Sequence, residues 1–217
     1  MKVARGLTVA LSVIPVALLM LFISPSLMAG PAARRRQSII TSARHLFAER
    51  GGDVPLETVA AESGVGIATL YRNFASRDHL VRAVIDDIVQ QILDVVAEAD
   101  AAAATDPTSA WTGLIDRLMR TELGALTDGL GLDASARADR ESTGSALAHV
   151  QQPALETLDG LLTRLRSDRV IRDDITALGT VAAIATITRP QVATIRAAAP
   201  EVPAQLAAAY LEWSLRT

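Results

Sequence analysis

The sequence has no cysteine among its 217 residues. That absence excludes disulfides, zinc–cysteine sites and thiol nucleophiles. Aromatic residues make up only 3% of the chain, against 50% apolar residues overall. Ala and Leu supply most of the apolar content, which favours helices over strands. Histidine is scarce too: His45, His79 and His149 are scattered. No GxSxG motif, phosphate loop or metal-ligand cluster accompanies them. Glu98 and Asp100 flank Ala99 without a partner in the pattern and read as solvated helix surface. No catalytic residue, no metal and no cofactor is therefore expected, and an enzyme is disfavoured. The length fits one or two small domains.

Net positive charge is also missing, the total being −3, but its distribution is uneven. Residues 31–82 carry eight Arg against five acids, a charge of +3, while residues 83–217 carry eleven Arg against nineteen acids, a charge of −8. Lys2 and Arg5 supply the rest. The basic segment contains the most informative stretch of the chain, LETVAAESGVGIATLYRNF at Leu56 to Phe74. Leu56, Val59 and Ala60 share one face of a short helix running to about Ser63. Gly64 follows, where a helix C-cap needs positive φ, and Val65 plugs the turn. A second helix starts near Ile67 and turns Leu70 and Phe74 inward, which leaves Thr69, Tyr71, Arg72 and Asn73 outward or sideways. The small Ala60 permits a close crossing, Gly64 makes the turn, and Leu70 locks the second helix onto the first. This spacing fits a helix-turn-helix, whose second helix enters the major groove; it fits an ordinary αα-corner equally well.

The flanks carry more. RRRQSIITSARHLFAERG at residues 34 to 51 precedes the stretch and ASRDHLVRAV at residues 75 to 84 follows it. The basic start at Arg34 to Arg36, ARHLFAERG, VAAESGV, TLYRNF and SRDHL together resemble the N-terminal domain of the tetracycline-repressor (TetR) family of bacterial transcription regulators. The resemblance covers about fifty contiguous residues; beyond residue 85 only length and helical character match. It implies an all-α protein: an N-terminal three-helix helix-turn-helix DNA-binding domain at 31–80, then a helical effector-binding and dimerisation domain at 81–217.

What the resemblance implies for the DNA site can be stated residue by residue. Gly66, Ile67, Ala68 and Thr69 lie against base edges, where Ile67 and Ala68 offer only apolar contact suited to a thymine methyl. Arg72 and Tyr71 are polar readers or phosphate holders, with Asn73 beside them; the bland alternative for Tyr71 is a core aromatic with its hydroxyl at the edge. Arg77 keeps the charge of a Lys that usually touches phosphate in the family, and Ser76 before it reads as an N-cap. Pro55 departs from the family pattern, which has Ser or Thr there for a phosphate, so Thr58 or backbone amides would substitute. Arg34, Arg35 and Arg36 read as a flexible arm for phosphates or the minor groove, or else as a solvated charge run; their place beside the motif favours the first. Ahead of all this, a helix over Arg36 to Arg50 carries the apolar stripe Ile39, Ile40, Ala43, Leu46 and Phe47.

Downstream, Leu80, Val84, Ile88, Ile92 and Val95 predict a long helix from His79 to Ala104. Further helices are expected at 109–126, at 134–151 after a Gly-rich break at 127–133, and at 153–168. A helix over 175–188 is apolar nearly all round, and another covers 203–215 with Leu206, Tyr210, Leu211 and Trp213. These two suit a four-helix homodimer interface; the alternative is an interior helix of a monomer. The partners implied are a double-stranded DNA operator, a second copy of the chain and an unknown small-molecule effector, in the cytoplasm at the nucleoid. Trp111, Arg120, His149 and Gln152 are polar or aromatic residues among apolar ones, hence candidate effector-pocket residues or simply structural ones. Residues 1–30 form an apolar N-terminal extension. Gly6 to Ile23 is uncharged and mostly apolar, behind Lys2 and Arg5, and admits three readings: sequence upstream of a true start at Met28, a membrane anchor that would tether the protein, or a cleaved signal.

Overall fold

The strong helix formers of the composition are used throughout. The computed structural model describes residues 30–121, 123–129, 143–190 and 193–216. Within them the backbone forms ten helices and one isolated antiparallel bridge between Ile171 and Leu215. The apolar stretch at 6–23 and most of the expected break and helix between 127 and 151 lie outside the described residues or at their edge.

Helix α1 runs from Pro31 to Arg50, with Ile39, Ile40, Ala43, Leu46 and Phe47 buried. It begins earlier than the expected Arg36. Proline is preorganised for a first turn, where its missing N–H costs nothing, and alanine and arginine propagate the helix. Arg34, Arg35 and Arg36 therefore stand on a helix rather than in a flexible arm. Helices α2 (Leu56–Glu62), α3 (Ile67–Asn73) and α4 (Arg77–Ala103) follow. Pro55 sits just outside α2 as its N-cap residue, with φ −57° and ψ 140°, and not in the first turn. Ser76 caps α4 by accepting the His79 amide at 3.3 Å.

The expected single helix over 109–126 is two: α5 (Pro107–Met119) and α6 (Leu123–Gly129). The amides of Arg120 and Thr121 bond three residues back, to Arg117 and Leu118, which tightens the last turn and ends α5. The chain is then free to lay α6 against α1 and the later helix α8 (Ala177–Ile187). Asp106 caps α5 by accepting the Ser109 amide at 3.0 Å. Bonding from Ser109 holds the Asp106 carboxyl below the usual carboxylate range, so this cap is lost only as pH falls through that depressed value. Conversely, the two helices expected on either side of Pro153 are one, α7 (Thr143–Ser167), with Pro153 inside it. Short α9 (Ala193–Ala198), which the sequence pattern did not announce, and α10 (Val202–Ser214) complete the set.

One continuous apolar core joins these elements. It runs from Leu46, Phe47 and Leu70 through Val84, Ile92 and Val96 to Trp111, Leu114, Leu158, Leu162 and Ile184. Helix α4 lies against α1, α5 and α7, and α8 lies against α10. At the α6–α8 contact the backbones meet at Gly124, whose amide donates to Thr188 Oγ1 at 2.8 Å. A Cβ there would stand 2.0 Å from the Ala185 carbonyl oxygen.

Gly124→Ala should therefore lower the unfolding free energy measured by urea denaturation by about 1–3 kcal/mol or more. Gly113→Ala in α5, where a Cβ meets nothing within 4 Å, should raise it by up to about 1 kcal/mol. Equal effects from the two substitutions would contradict the close approach.

Candidate nucleic-acid interface

The turn between α2 and α3 is built by local chemistry. Gly64 adopts φ +69°, a conformation that side chains rarely enter. The Ser63 hydroxyl donates to the Val59 carbonyl at 2.8 Å, and the Val65 amide donates to the Ala60 carbonyl at 3.0 Å. Val65 is partly buried against the core. Beyond the turn, Leu70 is wholly buried and Phe74 nearly so. Those two anchors fix the rotation of α3 and leave its opposite side in solvent. Ile67 is 36% exposed and Tyr71 49%, both on that side. Gly66 and Ala68 are exposed beside them.

The polar residues of α3 are tied together. Arg72 Nη2 donates to Thr69 Oγ1 at 2.9 Å, and Asn73 Nδ2 donates to the Thr69 carbonyl at 2.8 Å. Arg72 and Tyr71 remain exposed, whereas Thr69, Asn73 and Thr58 are half-buried. Thr58 stands in the first turn of α2, its amide bonded to the Pro55 carbonyl at 3.0 Å.

The basic residues divide into distinct settings. Arg34 and Arg35 are exposed on the first turns of α1. The Arg36 guanidinium lies over the Phe74 ring, 5.0 Å from its centroid, so it clasps α1 to the end of α3. Arg77 reaches back across the domain. Its Nη1 donates to the Gly52 carbonyl and its Nη2 to the Val54 carbonyl at 2.6 Å. The planar fork thus closes the loop between α1 and α2, a job different from the phosphate contact expected of it. Sequence reasoning also missed Asp87 of α4. It accepts from Gln37 Nε2 at 2.7 Å, Arg44 Nη1 at 3.4 Å and Gln91 Nε2 at 2.7 Å. This carboxylate lashes α1 to α4; the Asp87–Gln91 spacing of four was its only local signal.

Of the expected effector-pocket residues, Trp111, Arg120 and Gln152 stand in separate settings. Trp111 is wholly buried, its indole N–H donating to Ser214 Oγ at 2.8 Å: it ties α5 to α10 as core. Arg120 is exposed and pairs with Asp116 at 2.6 Å, one turn back. Gln152 is exposed and donates to Glu156 at 2.9 Å. His149 lies on α7, but its side chain is outside the described structure. Polar residues with partners on their own helix are ordinary surface, which explains Arg120 and Gln152.

Arg77→Ala should destabilise the chain by about 1–3 kcal/mol, since it leaves two loop carbonyls without their charged donor. Arg77→Lys should recover only part of this, a lysine being a point charge without the fork. Hydrogen exchange at 51–54 should quicken in both variants. Unchanged exchange with full stability would show that the clasp contributes nothing.

Comparison with known proteins agrees with this geometry. Residues 39–84 match the model of bacterial regulatory proteins of the tetR family. No curated protein matches the chain by sequence. Among solved structures, a TetR transcriptional regulator from Streptomyces coelicolor is 28% identical with a TM-score of 0.58, over 84% of this chain and 99% of its own. A TetR transcription regulatory protein from Mycobacterium vanbaalenii is 24% identical with a TM-score of 0.57, over 86% and 97%. The fatty acid degradation regulator FadR from Bacillus halodurans is 14% identical with a TM-score of 0.58, over 81% and 95%. The last two speak to the fold alone. A helix-turn-helix of this geometry matches the tetR-family model over residues 39–84, and the chain that carries it is similar to a TetR transcriptional regulator over nearly the whole length of that protein.

Proposed function

We propose that the chain acts as a homodimeric repressor that binds a two-fold DNA operator and is released by a small-molecule effector. The observation that carries this reading is the pairing of two unsatisfied surfaces. One is the face of α3 that leaves Ile67 and Tyr71 in solvent. The other is on α8 and α10, where Leu178 is 67% exposed and Leu206 and Trp213 are each 48% exposed. Only Ala177, Thr180 and Ile184 of α8 are buried within the chain, although the helix is apolar almost throughout. An apolar patch shared by two adjacent helices marks an association surface, and a second copy related by a two-fold axis covers it with the same residues. Such a dimer carries two recognition helices, as a two-fold operator requires.

In this reading Ile67 and Ala68 contact thymine methyl groups, Gly66 lets the backbone approach the bases, and Thr69 orients Arg72. The Tyr71 hydroxyl, Thr58 and Arg34 contact phosphates. Arg36, Asn73 and Arg77 act indirectly, by holding α1, α3 and the α1–α2 loop in place. The DNA-binding unit spans 31–80 and the regulatory unit 81–217, with α4 shared between them. The effector enters among α4, α5, α7 and α8, whose facing side chains are mainly Leu, Ile, Val and Ala, and an aliphatic molecule suits that lining better than a flat aromatic one. FadR of Bacillus halodurans, whose name states a role in fatty acid degradation, points the same way. Release requires that the effector contact the two states of the domain differently.

The test is selection from a random-sequence duplex library with the full chain. The reading expects a two-fold-symmetric site; recovery of unselective, salt-sensitive DNA alone would sink it. On the selected site, Ile67→Ala should relax discrimination at one base pair per half-site by about 1 kcal/mol. Leu178→Asp should convert the dimer to a monomer in sedimentation velocity and weaken operator binding sharply. A variant that stays dimeric would move the interface off α8.

A further inference from the structure

Between the first turns of α1 and the side of α3 lies a groove of about 420 Å³. Arg35 of α1 lines one wall, Thr69, Arg72 and Asn73 of α3 line the other, and the 64–66 turn forms the floor. No carboxylate lines it. The floor is open as well as uncharged: a Cβ added at Gly64 or Gly66 meets nothing within 4 Å. Two guanidinium groups thus face the same space with no internal counter-charge, an arrangement that costs energy until an anion enters.

The settings of the neighbouring groups sharpen this. Arg36 is committed to the Phe74 ring and Arg77 to the Gly52 and Val54 carbonyls, so neither serves the groove. Thr69 Oγ1 holds Arg72 Nη2 at 2.9 Å, which keeps that guanidinium against the groove wall instead of letting it reach forward to base edges. Because α1 is helical from Pro31, Arg35 has a fixed direction relative to α3, which a flexible arm would not provide.

We propose that Arg35 and Arg72 share a single backbone phosphate of the DNA in this groove. The shared phosphate sets the depth and rotation at which α3 enters the major groove, so Arg72 is a positioning residue and base readout falls to Ile67 and Ala68. The chemistry suits the occupant: a phosphodiester offers two anionic oxygens, and guanidinium forks bind such oxygens from two sides with charge-assisted bonds. A phosphate held jointly by two helices also fixes register without carrying sequence information. The proposal rests on the operator-binding reading above.

The experiment is a methylphosphonate scan. Each phosphate of the selected operator duplex is replaced in turn by an uncharged methylphosphonate, and the affinity of the full chain is measured against each duplex. Wild type should lose roughly tenfold at one particular phosphate per half-site. Arg35→Ala and Arg72→Ala should each bind the unmodified operator more weakly, keep the same base preference, and become insensitive at that same phosphate. Both side chains are exposed, so thermal midpoints should match wild type. If the two variants lose sensitivity at different phosphates, or if Arg72→Ala relaxes base preference while its phosphate profile stays that of wild type, the shared seat is wrong and the operator-binding reading stands. If wild type selects no duplex at all, the operator-binding reading falls, and the seat with it.

Discussion

A single helix, α4, is buried against both halves of the molecule, and the arrangement of everything else follows from that. It is 27 residues long, about 40 Å at the rise of an α-helix, and its apolar stripe runs unbroken from Leu80 to Ala103. Polar links show which part of α4 serves which neighbour. Asp87 binds Gln37 and Arg44 of α1, Glu98 binds Arg117 of α5, and Asp100 binds Arg164 of α7 at 3.0 Å. Burying each large aliphatic side chain contributes about 1.5–3 kcal/mol, whereas an exposed ion pair contributes about 0–1 kcal/mol. Packing therefore decides where α4 lies, and the charged links set its register. The same apolar stripe of α4 is packed against α1 near its start and against α5 and α7 further along.

A second connection runs beside it. Helix α6 touches α1 on one side and α8 on the other, and the second contact is so close that only glycine fits at 124. Helix α8 thus reaches α1 through two helix contacts, while α5 and α7 reach α1 through α4. Two rigid connections to one small domain constrain its orientation more tightly than either alone. That is what a dimer needs if the separation of its recognition helices is to match DNA.

Much of the DNA-binding half was legible because its determinants are local. The stripe of α1, the positive φ of Gly64, the inward Leu70 and Phe74 and the Ser76 cap each depend on residues a few positions apart. The start of α1 was misread because three consecutive arginines register as charge before they register as helix formers. The break between α5 and α6 was hidden because the apolar period continues across it; the contact with α1 and α8, not propensity, decides where the chain turns. Pro153 suggested a boundary, yet the strong Leu158, Leu161, Leu162 and Leu165 stripe sits on one uninterrupted helix. Arg77 was given its role from the family resemblance and Trp111 from its residue type. Their actual partners, the 52–54 loop and Ser214, are distant in sequence, and no local pattern encodes them.

The central claim is that two copies present their recognition helices one DNA turn apart. A chain without cysteine allows this to be measured cleanly, since Ala75→Cys places one spin label per copy at an exposed position immediately beyond α3. Dipolar spectroscopy on the operator complex should give one dominant separation of about 34–36 Å, allowing for the label linkers. An absence of dipolar coupling, or a broad distribution unchanged by the operator, would contradict the account.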